Sequence, residues 1–130
     1  MIAIIGLVGT FALPRWSRWS DRFATDRAAR EVASFYGSAR FAAIQRSTRV
    51  RMQFSTDSLV AIYEGVRDST FLWWPGPVHL GVVLRASRAV IRVYPNGIGL
   101  GAANTKIVVS RGAAAESLTT SRLGRIKRWR

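Results

Sequence analysis

The stretch from residue 28 to residue 54, AAREVASFYGSARFAAIQRSTRVRMQF, changes its apolar period once. In its first part, apolar residues recur three and four positions apart, as on one face of an amphipathic helix. These residues are Val32, Phe35, Tyr36, Ala39, Ala42 and Ala43. After Ser47 the period becomes two, and Val50, Met52 and Phe54 alternate with polar residues as in a half-buried strand. The sequence therefore predicts a helix that leads directly into a β-sheet and packs on it.

The remainder of the chain predicts further strands. The candidates are residues 59–64, 78–84, 89–94, 105–110 and 125–129, separated by turn-forming Pro and Gly residues at 75–77, 95–97 and 111–112. The glycine-rich stretch NGIGLG at 96–101 opens no helix and lacks the Lys-Ser/Thr pair of a nucleotide phosphate loop, so it is interpreted as a turn. The fold class that follows is α+β, a long N-terminal helix packed on an antiparallel sheet or sandwich.

The first 13 residues, MIAIIGLVGTFAL, contain no charge. As a helix they would rise about 20 Å, whereas a bilayer core of about 30 Å requires ~20 residues. Three interpretations stay open: a membrane helix with further residues upstream, a signal peptide, and a buried core helix. The missing basic start and the sequence RWSRWS at 15–20 disfavour a signal peptide. We expect an upstream reading frame to add about ten residues, including a basic leader, because spanning requires them.

Pro14 follows the apolar stretch, and we expect it to kink or locally unwind the helix without ending it. Beyond it, Trp16 and Trp19 alternate with Arg15 and Arg18. Aromatic and basic residues of this kind are typical of the point where a helix leaves a bilayer. The sequence therefore predicts an interfacial belt at residues 15–19.

The charge is strongly positive, with 20 Lys and Arg against 7 Asp and Glu, a formal net charge of +13. Eighteen of the cations are Arg, whose planar guanidinium suits phosphate and carboxylate groups. A polyanionic partner and a codon bias of a GC-rich genome both explain this excess, and the two explanations stay open. The absence of Cys excludes disulfides and Cys-based metal sites.

Catalytic chemistry has little support in the sequence. His79 is the only histidine and falls in a predicted strand, where a structural role is expected. Glu64 and Asp68 flank Arg67, which favours surface ion pairs over proton transfer. No nucleophile has an adjacent base, so neither an enzyme nor a cofactor, a metal or a small-molecule substrate is predicted. The pair at 73–74, Trp-Trp, is expected to be buried in the head.

The stretch IAIIGLVGTFALP at 2–14 resembles the second half of the signal and membrane helix of type IV pilins and pseudopilins. Two further stretches, VYPNGIGLGAANTKIVVS at 93–110 and SRLGRIK at 121–127, resemble the C-terminal pattern of GspH/FimT minor pseudopilins. In that pattern an aromatic strand, a Pro-Asp/Asn-Gly turn, a strand and a terminal Gly-Arg-x-Arg/Lys follow one another. The stretch at 28–54, an Ala- and Arg-rich helix that leads straight into a first strand, resembles the same family.

The resemblance implies a pilin-like fold with residues 1–18 as a membrane and filament helix. Residues 19–130 would form a periplasmic head, with an amphipathic helix at 19–47 and strands at 48–130. The implied function is that of a structural subunit of a type II secretion pseudopilus or a type IV pilus, active in filament assembly or initiation. Its implied partners are other pilins and the bacterial inner membrane. The residues expected in membrane and filament contacts are Ile2, Ile4, Ile5, Leu7, Val8, Phe11, Leu13 and Pro14.

An alternative that the resemblance also implies is a DNA-binding minor pilin for natural transformation. Its contacts would be Arg125, Lys127, Arg128 and Arg130 in the C-terminal segment. Alternation in a strand predicts that Arg125, Lys127 and Trp129 project from one face while Ile126 packs inward. The competing interpretation is a solvated basic tail that keeps the edge strand from pairing with another chain.

Overall fold

The computed structural model describes residues 2–99 and 104–129, with side chains described from residue 17 onward. The chain begins with one long helix, α1 (Ile2–Arg46), which continues through Pro14. The predicted helix end near Ser47 is therefore confirmed within one residue. Ser47 itself has a positive φ of 48°, which turns the chain out of the helix and toward the first strand.

Within the described residues, eight strands follow the helix. They are β1 (Val50–Phe54), β2 (Ser58–Tyr63), β3 (Ser69–Pro75), β4 (Val83–Ala86), β5 (Val90–Val93), β6 (Thr105–Arg111), β7 (Ala114–Thr120) and β8 (Ile126–Trp129). They form two antiparallel four-stranded sheets with the orders β3-β2-β1-β5 and β4-β6-β7-β8. The predicted fold class, a long N-terminal helix on antiparallel sheets, is confirmed.

The predicted strand at 78–84 is wrong over its first half. Pro77–Leu80 form a short 3₁₀ helix, which starts at a proline that cannot donate a backbone hydrogen bond. Gly81 ends this turn in the left-handed region with φ 69°, and only then does β4 begin. His79 consequently lies in the turn, where its Nε2 is 3.3 Å from a carboxylate oxygen of Glu31 on α1.

The core lies between α1 and both sheets. Of the predicted helix face, Val32, Phe35, Tyr36, Ala39 and Ala43 are at most 2% exposed, and Ala42 is partly buried. Burial raises the pKa of the Tyr36 hydroxyl above its ordinary value. These residues pack against inward-facing positions of both sheets, so the helix is what joins the two sheets into one head.

The prediction for the two tryptophans is half wrong. Trp74 is partly buried and packs edge-on against Phe35, with ring centroids 5.5 Å apart. Trp73 is 60% exposed, because alternation along β3 turns it to the outer face of its sheet. The predicted surface ion pairs form, but with cross-strand partners: Glu64 pairs with Arg92 and Asp68 with Arg51.

Among the described residues, no helix holds an apolar stretch long enough to cross a membrane. The side chains predicted for membrane and filament contacts, Ile2 to Pro14, lie outside the described side chains. Their role stays a prediction.

Candidate functional site

The C-terminal strand β8 presents its basic residues as its alternation predicts. Arg125, Lys127 and Trp129 are exposed, whereas Ile126 is partly buried and packs against the core. Because β8 is paired on one side only, at the edge of its sheet, the outward side chains border open solvent. The described part of the C-terminal segment is therefore an ordered edge strand and not a loose tail.

Contacts within the face hold these side chains in place. The Trp129 indole N–H donates a hydrogen bond of 2.9 Å to the Thr119 hydroxyl oxygen on β7. The Lys127 ammonium lies 4.0 Å from the centroid of the same indole ring, a cation–π contact. Lys127 is thus presented at a fixed position beside an aromatic plane.

The exposed cations continue beyond β8, and we call the outer side of the sheet that carries Arg85, Lys106, Arg125 and Lys127 the basic face. Lys106 on β6 is exposed and stands opposite Thr119, which in turn stands opposite Lys127. These three residues form one row across the sheet, and a shallow groove of about 460 Å³ runs beside it, also bordered by Arg125. Arg85 on β4 adds a fourth exposed cation on the same face.

No acidic residue occupies an outward position of this sheet. All seven carboxylates belong to described residues: three on α1, three in or next to the β1–β2 and β2–β3 turns, and Glu116 on β7. Glu116 points inward and is 7% exposed. A phosphate approaching the outer face therefore meets Arg85, Lys106, Arg125 and Lys127 with no opposing charge in the sheet.

Arg128 faces the opposite way. Its Nη2 lies 2.5 Å from Asp26 Oδ1 on α1 and 3.1 Å from both carboxylate oxygens of Glu116 on β7. Of the four residues predicted to contact DNA, Arg128 is thus engaged in an internal ion cluster, because its inward position on β8 turns it toward the helix. Arg130 lies outside the described residues.

The cluster shifts the ionisation of its members. Hydrogen bonds from Arg30, and next from Arg128, hold the pKa of Asp26 below its ordinary value of 3.8. Burial works to lower the pKa of Arg128, but its hydrogen bonds with Asp26 and Glu116 outweigh burial and raise it. Both groups are therefore charged near neutral pH, and the cluster ties β8 and β7 to α1.

Two glycine turns explain the motifs at Asn96-Gly97 and Gly124-Arg125. Gly97 and Gly124 both have φ near +85°, a conformation that L residues rarely adopt. A Cβ on Gly124 would collide with the Arg40 guanidinium and with the Gly97 carbonyl oxygen. Arg40 Nε donates to that same carbonyl oxygen at 3.0 Å, so the helix holds both turns and thereby the segment at Arg125 that leads into β8.

Sequence reasoning missed Arg85 and Lys106 on this face, and it missed Arg40, which holds the two turns behind it. Lys106 had a detectable signal, because it is the polar residue between Thr105 and Ile107 in a strand that was predicted. Arg40 had none: its partner Gly97 is 57 residues away, and no local pattern indicates such a contact. In the described residues, no cluster of three or more His, Cys, Asp or Glu is placed to hold a metal ion.

Comparisons with known proteins identify the fold. No protein-family model matches the sequence, and no curated protein matches it. Two crystal structures of the type IV minor pilin FimU from Pseudomonas aeruginosa strain PAO1 are similar in structure. The P21 form has a TM-score of 0.70 at 15% identity over 82% of this chain and 88% of FimU. The P65 form has a TM-score of 0.68 at 14% identity over 81% and 92%. The chain has the fold of a type IV minor pilin.

Proposed function

We propose that this chain is a minor pilin-like structural subunit of a type IV pilus or a type II secretion pseudopilus, placed in the GspH/FimT group. Its N-terminal helix would anchor the subunit in the bacterial inner membrane and later pack against the helices of other pilins. The head would face the periplasm and take part in filament assembly or initiation.

The observation that carries the proposal is that α1 has an apolar N-terminal stretch that precedes the head core and a C-terminal part buried in that core. The helix is a single element of 45 residues, yet its first buried residue in the head is Ala24. The part before Trp16 is apolar in sequence through residue 13. A helix that forms the head core in its C-terminal part and an apolar extension in its N-terminal part suits a subunit that must leave a membrane and enter a bundle of like helices. The similarity to FimU supports the same proposal.

Replacing Val8 with arginine should remove the chain from the membrane and from filaments. A charged residue in place of an aliphatic one near the centre of a membrane helix costs about 3 kcal/mol, or about 100-fold in partitioning. The measurement is the fraction of full-length chain that stays in carbonate-washed membranes, together with photo-cross-linking of residue 5 to other pilin subunits.

The matched control is Val66→Arg, the same chemical change at a fully exposed turn position of the head. It should leave both readouts unchanged. If wild-type chain washes off membranes, or if Val8→Arg partitions like wild type, the anchoring role is wrong. If anchoring persists but no pilin is cross-linked, the filament role is wrong.

A second candidate function is DNA binding during uptake, and the acid-free outer face of β4, β6, β7 and β8 favours it. Four exposed cations, Arg85, Lys106, Arg125 and Lys127, share that face, and Trp129 offers an exposed ring beside them. Regularly placed cations beside an aromatic plane suit a phosphate backbone with sequence-tolerant base stacking. This function needs no change of fold, because the four cations are already exposed on the outer face of the sheet.

The double substitution Arg125→Ala with Lys127→Ala should weaken binding to DNA of any sequence. Each lost phosphate contact removes about one unit from the slope of log affinity against log salt, so the slope should fall by about two. Adding Lys106→Ala should lower the slope by about one more. Fluorescence anisotropy at several salt concentrations gives both quantities.

The control removes the same charge elsewhere. Arg49 and Arg67 are exposed on the other sheet's side of the head, and replacing both with alanine also lowers the net charge by two. If the two double variants lose affinity equally, binding follows total charge and the face has no special role. If neither changes affinity, the basic strand only protects the sheet edge.

A further inference from the structure

An exposed aromatic pair lies where α1 enters the head. Trp19 and Phe23 are 59% and 56% exposed, one helical turn apart, and their rings stack with centroids 5.7 Å apart. Beside them the β6–β7 hairpin presents Ala113, Ala114 and Ala115, which with the two rings line a groove of about 610 Å³. We call the set formed by Arg18, Trp19, Arg22, Phe23 and residues 112–115 the Trp19 surface.

The hairpin is fixed at the level of this pair. Arg111 Nε lies 3.1 Å from Asp21 Oδ1, and Arg111 Nη1 donates to the Leu80 carbonyl oxygen at 3.1 Å. Gly112 has φ 57°, and a Cβ there would collide with the Asp21 carboxylate. The hairpin tip therefore lies against residue 21 of the helix, on the side of the head nearest the apolar stretch.

The charge of the Trp19 surface is positive. Arg18 and Arg22 are exposed, while the neighbouring carboxylates already have cationic partners within the chain. Asp21 pairs with Arg111, and Asp26 pairs with Arg30 and Arg128. Exposed aromatic rings combined with uncompensated arginines match the headgroup region of a bilayer that contains anionic lipid.

We propose that the Trp19 surface, including the hairpin tip, rests in the headgroup layer of an anionic phospholipid bilayer and so holds the head against the membrane before assembly. The inference rests on the proposed membrane anchoring of residues 2–13 and extends it from the helix to the head. Two observations argue for lipid: the charge complementarity, and the continuity of the surface with the apolar stretch on one helix.

Helix geometry allows this placement when the helix tilts toward the hairpin. Residue 19 lies about 9 Å along the helix from residue 13, and the headgroup layer is about 5–8 Å deep on each side. An upright helix would leave Trp19 just outside that layer, and the hairpin tip at the level of residue 21 would lie farther out, about 12 Å from residue 13. A tilt of about 20° toward the hairpin, the average for membrane helices, brings both the rings and residues 112–113 closer to the lipid.

The chain contains no cysteine, so single nitroxide labels report one position each. The experiment places labels at Val8→Cys, Ala113→Cys or Val66→Cys in the full chain, in nanodiscs of phosphatidylethanolamine and phosphatidylglycerol. Depth is read from collision with oxygen against a water-soluble nickel complex. Val66 follows β2 near the far end of α1, about 37 Å along the helix from residue 21, and serves as the aqueous reference.

The label at 113 should report headgroup depth, while the label at 8 reports the acyl region and the label at 66 reports water. Combining Arg18→Gln with Arg22→Gln, or replacing phosphatidylglycerol by phosphatidylcholine, should move the label at 113 toward water without moving the label at 8. If the label at 113 is as accessible to the nickel complex as the label at 66, while the label at 8 remains in the acyl region, the head does not rest on the membrane. The anchoring of the helix would be unaffected by that result.

Two other outcomes also overturn the inference, and they have different meanings. If the label at 8 is in water, membrane anchoring itself is wrong. If the label at 113 is wet in lipid alone but becomes protected when other pilin subunits are added, the Trp19 surface binds a partner helix instead of lipid.

Discussion

Replacing Phe35 with alanine should lower the free energy of unfolding by about 3 to 5 kcal/mol, the usual cost of deleting a buried aromatic ring. Phe35 is completely buried, and its ring meets Phe54 at 5.6 Å and Trp74 at 5.5 Å between centroids. Both contacts are edge-on, a geometry that adds to the burial of area. Urea unfolding of the full chain, followed by circular dichroism, measures the loss.

Phe41→Ala is the matched control, because it makes the same change on the same helix at a position that is 63% exposed. It should cost less than about 0.5 kcal/mol, as surface substitutions do. A loss below about 1 kcal/mol for Phe35→Ala would mean that α1 does not pack on the sheets as the structure has it. Equal losses for the two variants would lead to the same conclusion.

Much of this fold is visible in local sequence patterns. The helical stripe through Phe35 and the alternation from Val50 to Phe54 each record one buried face, so period alone locates α1 and β1. Strand β7 was not predicted from the sequence because its residues, AAESLTT, include polar ones at inward positions, among them Glu116. Strand β3 was not predicted because STFLWWP has no alternation of polar and apolar residues, and its two tryptophans face opposite sides of the sheet.

The basic face was only partly predictable for a related reason. Alternation from Arg125 through β8 correctly places Arg125 and Lys127 on the outward side, opposite to Ile126. It cannot tell that Lys106 joins them, because that depends on the order β4-β6-β7-β8. Nor can it tell that Arg128 meets Asp26, 102 residues away on α1. Contacts between elements depend on the assembled topology, which no local pattern contains.

Replacing Arg128 with methionine should destabilise the head by about 2 to 3 kcal/mol. Methionine keeps an apolar stem of similar length but leaves the buried Glu116 carboxylate without its two Arg128 hydrogen bonds. Removing one partner of a buried ion pair costs about 3 to 5 kcal/mol, and the lower figure allows for the 30% exposure of the Arg128 side chain. Urea unfolding at neutral pH measures the difference from wild type.

Arg30→Met is the control that separates an internal ion cluster from a surface pair, since Arg30 bonds to the same Asp26 carboxylate but is 66% exposed. Arg30→Met should lower the free energy of unfolding by less than about 1 kcal/mol.

The pH dependence of stability supplies a second check. Because the folded pKa of Asp26 lies below 3.8, its contribution to stability is present above that value and is lost as pH falls through the folded pKa. The difference in free energy of unfolding between wild type and Arg128→Met should therefore become smaller below about pH 4. The result would contradict this role of Arg128 if wild type and Arg128→Met had the same free energy of unfolding at pH 7, or if Arg128→Met lowered it by only as much as Arg30→Met. Arg128 would then not tie β8 to the helix and would be available to bind DNA.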